Sequence, residues 1–232
     1  MRFFKLSVPR NSRGQRANDR PLVVREPYRI PAIACRDCWV SVWTARIRVP
    51  LPANSSEFKS PEPLPVAAWR KRRASWAKKL GVSIDRVLPG ATVGPPMGRC
   101  VKPMKGDVAI PFPGRFWVTA RVRDALEGAQ VTGLSFSEVL LGKECGTLKL
   151  WELVVAGHAW RKGTDPESSI ECRICGLVGF PDPEVLSVDT TRWDGSDLFT
   201  LDYNPNIVVT TERVARILQD LKLRGLDVVP VD

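Results

Sequence analysis

The chain has 232 residues and a hydrophobic share of 44%, enough for a buried core in one domain or two small ones. No stretch approaches the length needed to span a bilayer, and residues 1–6 lack the sustained apolar segment of a secretory signal. These features argue against a membrane-spanning or secreted protein. They predict a cytoplasmic protein whose reduced thiols are available to metal.

The net charge of +10 is unevenly distributed along the chain. Residues 1–105 contain 22 Lys and Arg against 6 Asp and Glu, whereas residues 106–232 contain 13 against 19. Such asymmetry is typical of a nucleic-acid surface or of a docking face for a charged protein, and composition alone does not choose between them.

The first part of the chain predicts short elements around a cysteine pair. Residues 1–8 alternate loosely and predict an edge strand. In residues 35–49, a Cys-x-x-Cys pair is followed by aromatic and β-branched residues, which predicts a knuckle and then a strand. Five prolines interrupt residues 50–65, which are therefore predicted to be a loop.

Residues 66–80 predict an amphipathic basic helix that ends at Gly81. Its apolar positions Trp69, Trp76 and Leu80 have helical spacing. The cations between them are Arg70, Lys71, Arg72, Arg73, Lys78 and Lys79. The pattern fits a helix that contacts phosphates, but it favours a tryptophan stripe packed in the core behind a solvated basic face.

The C-terminal half contains an internal repeat at an offset of 92 residues. The residues that recur are Thr119, Arg121, Val122, Leu126, Gly133 and Leu134, which match Thr211, Arg213, Val214, Leu218, Gly225 and Leu226. Each copy predicts a strand, a threonine that can cap a short helix, a glycine that ends the helix and a second strand. Residues 116–141 and 207–232 are therefore predicted to be two β-α-β-like units, with a further strand near residues 148–155 between them.

Four cysteines have the spacing of a metal site: Cys35 and Cys38 form one pair, and Cys172 and Cys175 form the other, in a second knuckle at residues 172–176. Two such pairs on separate segments can close one tetrahedral zinc site. Gly176 suits the turn after the second pair, whereas Trp39 takes that position after the first. Disulfides, a redox pair or buried thiols are the alternatives. A site closed by four thiolates has no open position for substrate, so the Zn²⁺ ion is predicted to be structural.

Several short motifs occur in order along nearly the whole chain. They are Met1-Arg2-Phe3-Phe4, the two cysteine pairs, Leu88-Pro89-Gly90 with Gly94-Pro95, Leu150-Trp151-Glu152-Leu153, Asp197-Leu198-Phe199 and Val208-Val209-Thr210-Thr211-Glu212-Arg213. With these motifs the chain resembles the double-CxxCG-motif immunity proteins of myxobacterial swarming-inhibition (Sit) toxin systems. It departs from them at Trp39, which takes the place of the glycine after the first cysteine pair.

The resemblance implies a cytoplasmic protector protein. Such a protein would bind a cognate polymorphic toxin, a lipoprotein passed between sibling cells by outer-membrane exchange, and would neutralise it by stoichiometric occlusion.

Two surfaces are candidates for the toxin contact. The first is an acidic stretch with one tryptophan: Asp182, Glu184, Asp189, Trp193, Asp194, Asp197 and Asp202. It would suit a toxin with a basic cleft. The second is the basic helix around Arg70, Lys71, Arg72 and Arg73, which would suit an acidic toxin.

The main alternative function is a zinc-ribbon protein that binds nucleic acid through its basic first part. An enzyme is not expected, because the single histidine, His158, has no Ser or Cys nucleophile beside it in the sequence. Cys100 and Cys145 lack a partner at ligand spacing and are interpreted as buried or idle thiols.

The chain is predicted to be one composite α+β domain over residues 1–232, with two β-α-β-like units, a mixed sheet and a zinc-ribbon-like four-cysteine site.

Overall fold

The computed structural model describes the chain except for residues 10–20, 26, 38, 42–45, 48, 53–54, 165–169, 177, 180–185, 202–203 and 232. The chain divides into two compact units. Unit 1 comprises Met1–Val24, Pro96–Asp165 and Asp182–Asp232, and unit 2 comprises Arg25–Pro95 and Pro166–Pro181. The expectation of one composite domain stays a prediction.

The elements are mixed helix and strand, which confirms the α+β class. In chain order the strands are β1 (Phe3–Ser7), β2 (Leu22–Val24), β3 (Ile33–Cys35), β4 (Trp39–Ser41), β5 (Arg46–Ile47), β6 (Leu64–Pro65), β7 (Thr92–Val93), β8 (Met97–Cys100), β9 (Val108–Ala109), β10 (Phe116–Val118), β11 (Leu134–Glu138), β12 (Leu140–Leu141), β13 (Trp151–Val155), β14 (Gly157–Arg161), β15 (Ile170–Glu171), β16 (Val178–Gly179), β17 (Val188–Trp193), β18 (Leu198–Leu201), β19 (Asn204–Thr211) and β20 (Asp227–Val231). The α-helices are α1 (Val66–Leu80), α2 (Ala120–Gly128) and α3 (Glu212–Asp220), and the short 3-10 helices are η1 (Ser56–Phe58), η2 (Ile84–Arg86) and η3 (Lys143–Cys145).

Unit 1 is built on two larger sheets. The first has the strand order β17-β14-β18-β19-β1-β20, and it is mixed because β14 and β18 are parallel whereas its other pairs are antiparallel. The second has the order β11-β13-β10-β9 with antiparallel pairs. The prediction of a strand at residues 1–8 is correct, but that strand is not at an edge, because β1 lies between β19 and β20.

The two segments that align at an offset of 92 residues both fold as strand, helix and strand. In the first copy β10, α2 and β11 follow one another, and β13 lies between the two strands of the copy. In the second copy β19, α3 and β20 follow one another, and β1 takes the corresponding place. Each copy is therefore a split β-α-β unit that needs an antiparallel strand from elsewhere in the chain.

The helices of the two copies pack into one core of unit 1. Val122 and Leu126 of α2 are buried, as are Val214 and Leu218 of α3, and all four belong to the same apolar cluster. This confirms that the repeated apolar positions face the core. Burying such side chains at about 25 cal/mol per Å² is the main favourable contribution to folding.

The two copies are joined by a set of reciprocal hydrogen bonds, here called the reciprocal brace, made by Asp107, Arg121, Asp197 and Arg213. Arg121, at the start of α2, donates to the Asp107 carboxylate at 3.0 Å and to the carbonyl oxygen of Leu221 at 2.6 Å. Leu221 is the C-cap of α3. Each of these bonds has a counterpart in the second copy.

Arg213, at the start of α3, donates to the Asp197 carboxylate and to the carbonyl oxygen of Ala129 at 2.8 Å. Ala129 is the C-cap of α2, so each helix of the pair receives an arginine from the other at its last turn. Carbonyl groups at a helix C-terminus have no partner within the helix and attract a cation.

The threonines that precede the two helices take the N-cap position but do not cap by their side chains. Thr119 and Thr211 have extended backbone conformations, and neither makes a side-chain hydrogen bond to its helix. Their hydroxyl groups instead donate to Asp107 at 3.4 Å and to Asp197 at 3.1 Å. The predicted capping role is thus replaced by attachment to the reciprocal brace.

Two equivalent glycines pack closely against strands β18 and β9, which lie outside the two copies. Gly133 has a φ of +77° and Gly225 has a φ of +97°, a region that L side chains rarely adopt. A Cβ atom on Gly133 would collide with the carbonyl oxygen of Leu198, and one on Gly225 would collide with that of Val108. Each glycine is therefore required both by backbone conformation and by space.

Among the described residues, no helix is long and apolar enough to cross a membrane.

The glycine pair gives a test of the repeat. We expect Gly133→Ala and Gly225→Ala each to lower the free energy of unfolding by about 2 kcal/mol or more. Each change forces a residue with a Cβ atom into a left-handed backbone conformation and brings that atom too close to a backbone carbonyl oxygen. Gly128→Ala is the control, since no atom lies within 4 Å of its Cβ position and its φ is not in the left-handed region. The control should be neutral or slightly stabilising in urea denaturation. Equal stability of all three variants would contradict the packing described here.

Asp197 gives a pH-dependent test of the reciprocal brace. Burial by itself raises the pKa of this carboxyl group, but hydrogen bonds from Arg213, Thr132 and Thr211 outweigh it and lower the pKa from 3.8 to about 2. Because the folded-state pKa is depressed, the stabilisation is complete above the unfolded-state pKa near 4 and is lost as the pH falls towards 2.

We therefore expect Asp197→Asn to lower stability at neutral pH by on the order of 1–2 kcal/mol and to flatten the dependence of stability on pH between about 4 and 2. Asp124→Asn is the control, because Asp124 is 59% exposed on α2. Thermal melts across that pH range measure both effects. A wild-type protein and an Asp197→Asn variant with parallel pH profiles would refute the assignment.

Candidate metal centre

The first cysteine knuckle is the turn of a β-hairpin in unit 2. Strand β3 ends at Cys35, Arg36 and Asp37 form the turn, and β4 begins at Trp39, which is paired with Cys35. The sequence has tryptophan where the second pair has glycine because residue 39 is already part of an extended strand. Cys35 is 2% exposed. Cys38 lies outside the described residues.

The second knuckle is also a hairpin turn. Strands β15 and β16 are antiparallel, with Ile170 paired to Gly179, and Cys172 and Cys175 lie between them. The N–H of Gly176 donates to the carbonyl oxygen of Cys172 at 2.8 Å, and Gly176 has a φ of 72°. The expectation that Gly176 supplies a left-handed turn is confirmed.

The two hairpins bring three thiols together although their residues are far apart in the chain. The Sγ atoms of Cys35, Cys172 and Cys175 lie within 4.8 Å of one another, and those of Cys35 and Cys172 are 3.8 Å apart. A covalent disulfide needs about 2.05 Å between sulfurs. A tetrahedron with Zn–S bonds of about 2.3 Å places neighbouring sulfurs roughly 3.8 Å apart. The measured separation therefore fits ligands of one metal ion better than it fits a disulfide.

The thiol cluster is anchored in the apolar core of unit 2. Cys35 belongs to a buried cluster with Ile33, Trp69 and Trp76, and Cys172 and Cys175 pack against it. The indole N–H of Trp69 donates to the carbonyl oxygen of Pro31 at 2.8 Å. Soft thiolates in such surroundings suit zinc. With three described thiols on one side of an apolar core, a bound ion would hold the two hairpins together.

Helix α1 has the predicted bounds and a basic outer face. Trp69 and Trp76 are 4% and 2% exposed and contact each other edge to face, with ring centroids 6.0 Å apart. Of the two interpretations of this helix, the core-packed tryptophan stripe is confirmed. Gly81 ends the helix in a left-handed conformation, as expected.

The first four cations of α1 differ in their surroundings. Arg70, Lys71 and Arg72 are exposed. Arg73 donates to the carbonyl oxygen of Val87 at 3.0 Å and lies over the ring of Trp69, so it is a packing residue.

Cys100 and Cys145 are not idle thiols, contrary to the sequence-based interpretation. They form a disulfide in unit 1, with a Cα–Cα distance of 5.2 Å, that links β8 to η3. Their sequence separation of 45 positions gave no spacing signal, because disulfide partners are determined by the fold. Disulfides are typical of oxidising surroundings.

His158 lies in β14 of unit 1, whereas the thiol cluster belongs to unit 2. Its ring contacts Trp160 edge to face at 5.5 Å between centroids, and its backbone N–H donates to Asp194 at 2.7 Å. These contacts give His158 a place in the packing of the sheet.

The described members of the acidic stretch are engaged in contacts within unit 1. Asp189 accepts hydrogen bonds from the N–H and hydroxyl of Thr191. Asp194 accepts from the N–H groups of His158 and Ser196. Burial raises the pKa of Asp194, but these bonds outweigh it and lower the pKa.

Asp197 and Trp193 are structural residues as well. Asp197 belongs to the reciprocal brace. Trp193 donates to the carbonyl oxygen of Ser196 and contacts the rings of Phe3 and Phe199. The remaining members of the stretch, Asp182, Glu184 and Asp202, lie outside the described residues.

Compared with known proteins, the chain matches no protein-family model and no curated protein sequence.

The metal centre is tested by removing two ligands. We expect purified wild-type protein to contain about one zinc ion per chain. Cys172→Ser with Cys175→Ser should lose that zinc and lower the free energy of unfolding by ~2 kcal/mol or more, because metal binding contributes directly to folding.

Metal analysis and thermal melts measure the two effects. The matched control is Cys100→Ser with Cys145→Ser, which changes the same number of cysteines in unit 1 and should keep the zinc. A double variant at positions 172 and 175 with unchanged metal content would contradict the assignment.

Proposed function

We propose that this protein is an immunity protein that binds a cognate toxin and neutralises it by stoichiometric occlusion. The observation that carries the proposal is the order of short motifs along nearly the whole chain, which resembles the double-CxxCG immunity proteins. The proposal includes a four-cysteine zinc-ribbon-like site in which Cys38 completes the set of Cys35, Cys172 and Cys175. It also includes action in the cytoplasm, where the toxin would be met.

The geometry of the thiol cluster supports a binding protein of this kind. A zinc ion enclosed by cysteine thiolates stabilises a fold and leaves no position for a substrate. A Zn²⁺ ion would cross-link the two hairpins, and the residues around it would form a rigid surface. Rigid surfaces bind tightly because little conformational entropy is lost on association.

Binding to nucleic acid is the second candidate function. It is favoured by the exposed cations of α1, since each phosphate neutralised by Lys or Arg releases counterions. It is weakened by the burial of Trp69 and Trp76, because single-stranded nucleic acids are bound largely by stacking on accessible aromatic rings. The immunity function is therefore preferred.

Co-expression with the toxin encoded beside this gene tests the proposal. We expect the protein to rescue growth against that toxin, to leave an unrelated toxin fully active, and to co-purify with its target in about equimolar amounts. Rescue by occlusion requires a complex, so survival and pull-down should agree. Absence of both rescue and complex would refute the immunity function.

A further inference from the structure

We propose that the exposed basic face of α1 is the surface that docks onto the toxin, and that the toxin presents an acidic protein surface to it. The basic face is defined as Arg70, Lys71, Arg72 and Lys78. This inference rests on the proposed immunity function and identifies the site through which it acts. It reverses the order of the two surfaces that the sequence suggested.

The geometry of α1 separates a core side from a binding side. Trp69, Trp76 and Leu80 are buried on one side of the helix. Lys71 and Lys78 are seven residues apart, two turns along the opposite side, and both are exposed. Two of the exposed positions between them carry small residues, Ala74 and Ser75, which leave space beside the two ammonium groups for a flat partner surface.

Helices α2 and α3 contain acidic partners for some of their cations. In α2, Arg123 forms an ion pair with Glu127 four residues along, and in α3, Arg216 pairs with Glu212 in the same way. Such pairs stabilise an exposed helix. Helix α1 contains no acidic residue, so its cations are not balanced within the helix. The charge pattern of α1 thus differs from the patterns of α2 and α3.

Lys79 of α1 forms an ion pair with a local carboxylate, Glu57, which also interacts electrostatically with Arg72. The ion pair marks one limit of the face. Lys79 pairs with Glu57 at 2.5 Å, and Trp76 donates to the same carboxylate at 3.0 Å. Burial raises the pKa of Glu57, but these contacts outweigh it and lower the pKa, so its charge is retained. Lys79 is therefore satisfied within unit 2 and is left out of the basic face.

The basic face continues onto the second cysteine knuckle. The guanidinium of Arg70 approaches the carbonyl oxygen of Ile174 at 3.5 Å, and Ile174 lies between Cys172 and Cys175. Arg173, next to Ile174, is exposed. Because the knuckle is attached to the core through its thiols, this part of the surface has a fixed shape, which favours docking of a folded protein.

The sequence of unit 2 has an excess of cations, which adds a long-range electrostatic field of the same sign as the basic face. It contains 14 Lys and Arg against 7 Asp and Glu. Opposite potentials on two proteins accelerate their encounter and suppress wrong partners. In contrast, the described carboxylates of the acidic stretch already accept hydrogen bonds inside unit 1, so recruiting them to a toxin would cost internal contacts.

The test uses Lys71→Glu with Lys78→Glu in the full chain. Lysine and glutamate have similar helix propensities, and both positions are exposed, so the fold should be kept. Lys71→Ala with Lys78→Ala is a second variant that removes charge without reversing it. The matched control is Lys143→Glu with Lys149→Glu, which makes the same change of charge at exposed positions of unit 1. Circular-dichroism melts verify that each variant folds.

The probe is the purified toxin encoded beside this gene, and its dissociation constant is measured at about 0.05 M and about 0.3 M salt. We expect the control to bind like the wild type, the glutamate variant to bind at least about tenfold more weakly, and the alanine variant to lie between them. Salt should weaken wild-type binding more than it weakens binding of the alanine variant.

The remaining outcomes separate the two proposals. If the wild type binds the toxin and the glutamate variant binds as tightly as the control, the docking surface is wrong and the immunity function stands. If the wild type binds no toxin, the immunity function fails and the docking inference fails with it. Binding to a duplex DNA of about 20 base pairs that is lost in the glutamate variant but not in the control would assign the face to nucleic acid instead.

Discussion

The reciprocal brace is the interaction on which the architecture of unit 1 depends. Each copy of the repeat is a split β-α-β unit whose helix ends in carbonyl groups without partners in the helix, and the arginine of the other copy donates to one of them. Each arginine is held in turn by an aspartate. Neither copy is complete alone, because its glycine also packs against a backbone carbonyl in a strand beside the other copy. Polar contacts that are satisfied only when both copies are in place make the assembly cooperative.

In unit 2, too, segments that are distant in the chain have to be held together, and the thiol cluster offers a different chemistry for this. Its two hairpins come from segments more than 130 residues apart, since Cys35 and Cys172 are separated by 137 positions. Closing so long a loop costs entropy, and a metal ion held by thiolates from both hairpins would offset that cost. The tryptophans of α1 provide the apolar surface against which the thiol cluster packs. Stabilisation by metal and stabilisation by core packing are therefore expected to be coupled in this unit.

Local patterns predicted local structure well, and long-range partners escaped prediction. The bounds of α1 follow from the spacing of Trp69, Trp76 and Leu80 and from Gly81, and the repeat follows from identical residues at a fixed offset. The central position of β1 depends on pairing with strands about two hundred residues away, which alternation within β1 does not encode. The same holds for the disulfide between Cys100 and Cys145 and for Asp107, whose role appears only when Arg121 is placed beside it.

The described carboxylates of the acidic stretch and the cations of the basic face have different surroundings. Described carboxylates of the acidic stretch accept hydrogen bonds within β17, in the segment that follows β17 and in the reciprocal brace, so these negative charges are used inside unit 1. The cations of the basic face are instead exposed on a helix without acids. The formal charge of +10 is therefore unevenly placed, with the described carboxylates of the acidic stretch in internal contacts and the cations of the basic face exposed. If the proposed docking surface is correct, specificity would reside in the shape and charge of α1 and the adjoining knuckle, and the repeats would act as the scaffold of their own unit.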